Sequence, residues 1–322
     1  MSVEVLILSS LFDFSTDMVA LRLEEQGVGF LRLNREQLPD HRITLDPSGP
    51  FLDVIGPAGE FRVGEGLRSV WFRQPVFLRN TPSEPLSVAE QLQRSQWTAF
   101  MRGLSVFQQA AWMNHPAATY LAESKPYQLA IAQACGFLVP KTLATNDAER
   151  IRREFPDAFV AKSLDTVLLR EDDDCLFTYT IINPGDDMTD AAVSPAPLFA
   201  QRALEGKVDI RVTVVGDEVF GVWVLSGGGG IEGDWRVIPK TELEYVDFEI
   251  SSSLANCCHE LMKRLGLSFG AIDLIETMDG IFFIEVNPTG EWGWLAGPER
   301  LIDVSIANWL TGKSRVSAQE ST

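Results

Sequence analysis

Short apolar runs alternate with helical stretches over the first hundred or so residues, which is the pattern of an α/β unit. Val3–Ser9 is predicted as a strand. Ser15, Thr16 and Asp17 offer N-cap chemistry to a helical stretch that ends near Gly27, and Val28–Leu33 is strand-like again. A longer helix is predicted over Val88–Trp112, entered past Pro85 and closed before Asn114-His115-Pro116. A second unit begins near Ala117. It holds a helix over Lys125–Cys135 stopped by Gly136, a strand over Val139–Ala144, a helix over Asp147–Phe155 capped by Asn146, and a strand over Ala158–Ser163. Asp172-Asp173-Asp174 is predicted as a solvated turn and residues 183–197 as a loop. A third unit starts at about Leu198. Asp209–Val215 and Val219–Leu225 flank Gly216-Asp217 as a hairpin, Gly227–Gly230 is a flexible loop, and Ser251–Leu265 is a helix stopped by Gly266. Phe269–Ile275 and Ile281–Val286 form a further hairpin. The division expected is therefore 1–116, 117–197 and 198–312, with a frayed tail at 313–322.

Composition narrows the function. The chain has 322 residues and a formal net charge of −18, which argues against a nucleic-acid partner, because phosphate backbones need a basic face. A nucleotide, held by a few local cations, is not excluded. No apolar run approaches the roughly 18 residues needed to span a bilayer, so a cytoplasmic protein without a membrane partner is expected. Cys135, Cys175, Cys257 and Cys258 lack paired C-x-x-C spacing, so structural zinc and disulfides are not expected. The loop after the first strand, Ser9–Phe14, has no glycine, which weakens a dinucleotide-binding reading.

The hairpin near the C-terminus carries the most chemistry. A three-residue loop at Met278–Gly280, with Gly280 left-handed, places Thr277 opposite Ile281 and hence Asp273 opposite Glu285. Side chains alternate along a strand, so Asn287 shares the face of Glu285. The flanking residues are mostly apolar. Two opposed carboxylates in such a setting repel each other and lose hydration, at a cost on the order of several kcal/mol. A divalent cation removes that conflict, and oxygen-only ligands point to magnesium or manganese. Cations suited to phosphates lie elsewhere: Lys125 opens a helix, Lys162 sits in the apolar strand Ala158–Lys162, and Arg211 and Arg236 add fork-shaped donors.

With these residues in place, the chain resembles the ATP-grasp superfamily, and within it the graspetide (microviridin-type) peptide maturases and the ribosomal S6 modification-type ligases. The matching residues are Val70-Trp71-Phe72-Arg73-Gln74-Pro75, Asn114-His115-Pro116, Lys125-Pro126-x-Gln128-Leu129, Val139-Pro140-x-Thr142-Leu143-x-Thr145-Asn146, the Lys162 strand, Gln201 through Lys207 to Asp209–Gly216, Asp234-Trp235-Arg236, and Asp273 followed by Glu285-Val286-Asn287-Pro288-x-Gly290-Glu291-Trp292. The Asp-Trp-Arg triplet and the Gly-Glu-Trp ending favour the peptide-maturase branch.

The resemblance implies a mixed α/β ATP-grasp fold: an N-terminal Rossmann-like pre-ATP-grasp domain, a central domain and a C-terminal domain, with ATP between the last two. It implies that Lys125 and Lys162 bind phosphates, that Gln201 and the backbone of Arg202 and Ala203 meet the adenine, and that Lys207 and Asp209 lie near ribose or phosphates. Asp273, Glu285 and Asn287 would ligate magnesium, as two ions, with manganese an alternative. Arg211 and Arg236 would orient the γ-phosphate and an acyl-phosphate. The implied reaction is ADP-forming. An Asp or Glu side chain of a ribosomal precursor peptide is phosphorylated, and a hydroxyl or amine of the same peptide then closes an ω-ester or ω-amide ring. The partner implied is that peptide, docked through a leader segment on the central domain, and the resemblance allows a homodimer.

The sequence also departs from the wider pattern. Leu164–Cys175 has no glycine where many ATP-grasp enzymes place a glycine-rich phosphate loop, and Gln74 follows Arg73 where related chains often carry a second Arg. Two other readings stay open at this point. One is a ligase adding free amino acids to a small molecule or protein terminus. The other is a nucleotide-binding regulatory protein without turnover, against which stands the filling of every expected phosphate and metal position. Glu291 is expected beside the metal residues or facing substrate, and Trp292 and Trp294 are expected in the core.

Overall fold

A computed structural model of the chain describes residues 2–73, 86–164, 168–171, 174–177, 181–184 and 189–313. Gln74 and Pro75 of the arginine motif, Asp172 and Asp173 of the acidic turn, and all but the first residue of the predicted tail lie outside that set, as does the Cys175 side chain.

The N-terminal unit is built from β1 (Val5–Ser9), α1 (Phe14–Glu25), β2 (Phe30–Asn34), β3 (Arg42–Asp46), β4 (Phe51–Gly56), β5 (Gly59–Val63), β6 (Ser69–Phe72), α2 (Val88–Gly103) and β7 (Ala111–Met113). Its parallel sheet runs β2-β1-β6-β7, and β3, β4 and β5 form an antiparallel flap. All five positions of β1 are buried, as expected of a strand covered on both faces. Two expectations change here. The residue at the cap of α1 is Asp13, whose carboxylate accepts the hydroxyls of Ser15 at 2.7 Å and Thr16 at 2.9 Å. The long helix stops at Gly103, and Ala111–Met113 is a strand instead. An apolar triplet has no period of its own, and pairing with β6 decides its state.

Next come α3 (Pro116–Ala122), α4 (Lys125–Ala134), β8 (Thr142–Thr145), α5 (Ala148–Glu154), β9 (Ala158–Lys162), β10 (Leu168–Glu171), β11 (Asp174–Phe177), β12 (Ile181–Pro184), α6 (Asp190–Val193) and β13 (Leu198–Arg202). The sheet order is β12-β9-β13-β8. By its pairing β13 therefore sits inside this sheet, past the boundary expected at 197. Helix α5 is capped by Asp147, which accepts from Arg150 N–H at 3.0 Å, and not by Asn146. Residues 183–197, expected as loop, contain the end of β12 and the one-turn α6.

The last unit holds β14 (Val208–Val215), β15 (Glu218–Ser226), β16 (Leu243–Asp247), α7 (Ser252–Leu265), β17 (Phe269–Thr277), β18 (Gly280–Asn287) and α8 (Ile302–Thr311). Its antiparallel sheet is ordered β16-β15-β14-β17-β18. One face buries Ile210, Val212, Val214, Ile272, Leu274, Phe283 and Val286 against α4 and α7. At one end of the other face lie Asp209, Arg211 and Asp273. Toward its far end Val215 and Phe269 join a core with α1, α8 and Trp292 that fuses this unit to the N-terminal sheet. Trp292 is fully buried and Trp294 packs on Tyr245 at 4.5 Å and on Trp235 at 5.7 Å, so both tryptophans are packing residues. No described helix is long and apolar enough to cross a membrane.

Candidate active site

The carboxylate hairpin forms, with a different turn from the one expected. Thr277 pairs with Gly280, so the loop is Met278-Asp279, one residue shorter. The register then runs Glu276↔Ile281, Ile275↔Phe282 and Leu274↔Phe283, skips Ile284, and resumes at Asp273↔Glu285. Ile284 is a β-bulge, and its physical effect is to re-aim the side chains beyond it. Without it Glu285 would share the face of Phe283, against the helices. With it Phe283 and Val286 both pack inward, while Glu285 and Asn287 face the same side as Asp273. Asn287 Nδ2 lies 3.5 Å from an oxygen of each carboxylate.

Four cations surround this pair. Arg211, directly across the β14–β17 ladder from Asp273, donates to its Oδ1 at 2.7 Å and to the Glu291 carbonyl at 3.2 Å. Lys125 Nζ is 3.8 Å from Glu285 and donates to the Ser163 carbonyl at 3.2 Å. Arg236 lies 3.7 Å from Glu285 and is gripped by Asp234, whose two oxygens accept from it at 2.8 Å each. Lys162 donates to Gln201 Oε1 at 3.1 Å, and Gln201 donates in turn to the Thr142 hydroxyl at 2.9 Å.

Burial pushes the Asp273 carboxyl above its usual range, with Arg211 opposing. For Glu285 burial acts the same way, yet Lys125, Lys162, Arg236 and Arg211 outweigh it and hold the group low. Burial lowers Lys162. Asp209, pushed up by burial, is partly offset by its ion pair to Lys207. Arg236 is desolvated as well, but Asp234 keeps it firmly charged.

These groups line one cavity of about 310 Å³ between the β12-β9-β13-β8 sheet and the five-stranded sheet. Of the predicted site residues, Lys125, Lys162, Gln201, Arg202, Lys207, Asp209, Arg211, Arg236, Asp273, Glu285 and Asn287 line it, and Ala203 does not. The backbone contact expected of Arg202 is also reduced, since its N–H is already donated to the Lys141 carbonyl at 2.9 Å. Sequence reasoning missed Asp234, the clamp of Arg236, although it stood two residues away in the Asp-Trp-Arg triplet. It also missed the apolar wall of Val160, Ile182, Leu204, Ile275 and Ile284, which has no signature apart from ordinary strand composition.

Arg73 does not line the cavity. It is buried, ion-paired to the equally buried Asp13 at 2.9 Å and to Glu291 at 3.1 Å, and it donates to the carbonyls of Thr289 and Gly290. Glu291 also accepts from Ser15 Oγ at 3.2 Å. Arg73 thus ties the end of β6 to the loop that leaves β18.

The donor set fits a hard divalent cation. Among the described residues no three His, Cys, Asp or Glu side chains converge, and the further oxygen-bearing side chain beside both carboxylates is the Asn287 amide. The two ends of an amide are assigned from their hydrogen bonds, and turning this one presents its oxygen between the two carboxylates. Two largely buried carboxylates and one amide oxygen suit magnesium or manganese and not zinc.

Lys125 at the start of α4 and Lys162 of β9 face the carboxylates of the five-stranded sheet across the cavity, and the chain has the ATP-grasp fold. Within the class it is similar to a RiPP-associated ATP-grasp ligase of Chryseobacterium gregarium, solved in complex with ADP and a leader and core peptide. The identity is 25% and the TM-score 0.83, with 97% of each chain covered. It is likewise similar to the macrocyclase MdnC of Microcystis aeruginosa MRC, solved with its precursor peptide MdnA, at 23% identity and a TM-score of 0.81 over 97% of this chain and 100% of that one. A RimK domain protein of Sphaerobacter thermophilus DSM 20745 matches at 15% identity and a TM-score of 0.58, over 95% of this chain and 98% of that one. A curated relative, the tetrahydromethanopterin:alpha-L-glutamate ligase of Methanocaldococcus jannaschii, is 31% identical over 105 residues, and the match spans 33% of this chain and 34% of that protein. No protein-family model matches the chain.

Proposed function

We propose that this protein is an ADP-forming ligase that phosphorylates Asp or Glu side chains of a ribosomal precursor peptide and closes ω-ester or ω-amide macrocycles. The observation that carries the reading is the convergence of Asp273, Glu285 and Asn287 with Lys125, Lys162, Arg211 and Arg236 on one cavity. It is supported by the similarity, over nearly the whole chain, to ligases solved with leader, core or precursor peptides.

In this reading Lys125 and Lys162 hold the nucleotide phosphates, Gln201 and the apolar wall hold the base, and Lys207 with Asp209 flanks the ribose. Asp273, Glu285 and Asn287 would hold magnesium, which when bound neutralises charge on the transferring phosphoryl oxygens. Arg211 and Arg236, each fixed by a carboxylate, present fork donors toward the substrate carboxylate and the phosphoryl group it receives. The substrate oxygen attacks the γ-phosphorus and ADP leaves. A hydroxyl or amine of the same peptide then attacks the acyl carbon, phosphate departs, and the nucleophile loses its proton. Most of the catalytic effect is positioning and charge neutralisation.

The test is intact-mass spectrometry of a peptide encoded beside this protein, rich in Thr, Ser or Lys and in Asp or Glu near its C-terminus, incubated with enzyme, ATP and magnesium. Loss of a water for each ring is the expected result. A second reading, addition of a free amino acid to a small molecule, draws on the partial match to the glutamate ligase. ADP release with free glutamate and no change in peptide mass would establish it in place of macrocyclisation. No ADP under either condition would reject both in favour of a nucleotide-binding regulatory protein.

A further inference from the structure

Strand β18 is the edge of its sheet, so its outer backbone groups need partners other than a strand. Phe283 N–H finds the Leu138 carbonyl at 2.8 Å. Past the bulge, Val286 is paired by a side chain. The Gln128 amide donates from Nε2 to the Val286 carbonyl at 2.8 Å and accepts from Val286 N–H at its Oε1 at 2.9 Å. Its remaining N–H goes to the Ala122 carbonyl, and the residue is 3% exposed. One buried amide thus does for Val286 what a neighbouring strand would do.

Val286 separates Glu285 from Asn287. A bulge is also the point at which a hairpin can slip by one residue, and a slip here would turn Glu285 toward the helices. The pair of hydrogen bonds between Gln128 and Val286 fixes the register two residues past Ile284. Gln128 stands one turn from Lys125 on α4, so one helix presents both the clamp on this strand and the ammonium nearest Glu285.

We propose that Gln128 is a positioning residue that, through the Val286 backbone and without touching ion or substrate, aims Glu285 and Asn287 at a divalent cation. The proposal rests on the reading of this cavity as a nucleotide-and-cation site.

The test uses the full chain and two probes, Mn2+ followed by electron paramagnetic resonance in the presence of ADP, and ADP alone followed by calorimetry. Gln128→Met keeps the shape and removes every hydrogen bond, Gln128→Asn keeps the amide but cannot reach Val286, and Gln133→Ala, exposed on the same helix, is the control. The expected result is ADP affinity without metal at the wild-type level and Mn2+ affinity weakened about 10-fold or more in both Gln128 variants, the range for partners that orient metal ligands. The control should match wild type. If either folded Gln128 variant melts earlier yet binds Mn2+ as the wild type does, the residue is structural only and the proposal falls while the nucleotide reading stands. If the wild-type protein binds neither probe, both fall.

Discussion

Replacing Arg73 with methionine tests whether the N-terminal sheet and the active-site loop are held together by a buried charge pair. Arg73 and Asp13 side chains are each 1% exposed and 2.9 Å apart, so removing the guanidinium strands a carboxylate away from water. Breaking such a pair from one side costs about 3–5 kcal/mol. The carbonyls of Thr289 and Gly290 lose their donor in the same step. Adding Asp13→Asn removes the orphaned charge, so the double variant should be more stable than Arg73→Met alone.

The pH dependence sharpens this expectation. In the native chain burial pushes the Asp13 carboxyl up, but the Arg73 charge and the Ser15 and Thr16 hydroxyls outweigh it and hold it below its ordinary value of 3.8. That contribution is complete above 3.8 and is lost as pH falls through the lower folded value. Without Arg73, burial is opposed only by the Ser15 and Thr16 hydroxyls and the folded value rises. Less stability is then lost on acidification than in the native chain, so the two profiles converge as pH falls from neutral. Urea unfolding of native and variant proteins from neutral to acid pH reads the difference, followed by tryptophan fluorescence. A loss of only about 1 kcal/mol, a double variant weaker than the single one, or parallel pH profiles would each refute the argument.

Three further outcomes are expected at the site. Glu285→Gln removes one of two carboxylates facing Asn287 and should abolish metal-dependent ADP formation, measured by coupled assay; full turnover would remove the cation from this hairpin. Lys162 is lowered by burial, so ADP affinity should decline with rising pH earlier than an exposed lysine would dictate, and Lys162→Met should flatten that profile in a calorimetric titration. Gly230 has no room for a side chain, because a Cβ would stand 2.0 Å from the Lys207 carbonyl, whereas one at Gly229 meets nothing within 4 Å. Gly230→Ala should therefore cost about 1–3 kcal/mol and raise KM for ATP by displacing Lys207 or the Asp234-Arg236 segment, and Gly229→Ala should do neither.

How far the site can be read from sequence depends on what kind of constraint fixes each residue. Asp273 and Glu285 face each other as alternation and hairpin geometry require, but the count that put them there used a loop one residue too long, and the bulge at Ile284 restored the register. Nothing in Phe282-Phe283-Ile284 marks a bulge, because an extra apolar residue between two buried faces reads as ordinary strand. Lys162 and Arg211 were legible because charge on an apolar strand demands an explanation, whereas Lys125, at a helix start, and Arg236 carried weak signals alone and gained meaning only beside the carboxylate hairpin. The residues that hold the ligand strand and its exit loop in place stood within the matching motifs, but their role escaped for the opposite reason. Asn114 bonds the backbone of Ser268, Phe269 and Pro288, Gln128 that of Val286, and Arg73 that of Thr289 and Gly290. Each binds backbone, and backbone groups carry no sequence, so no spacing rule connects donor to acceptor. Such residues can be found only once the chain is folded, and they are where substitutions should alter the chemistry without touching a ligand.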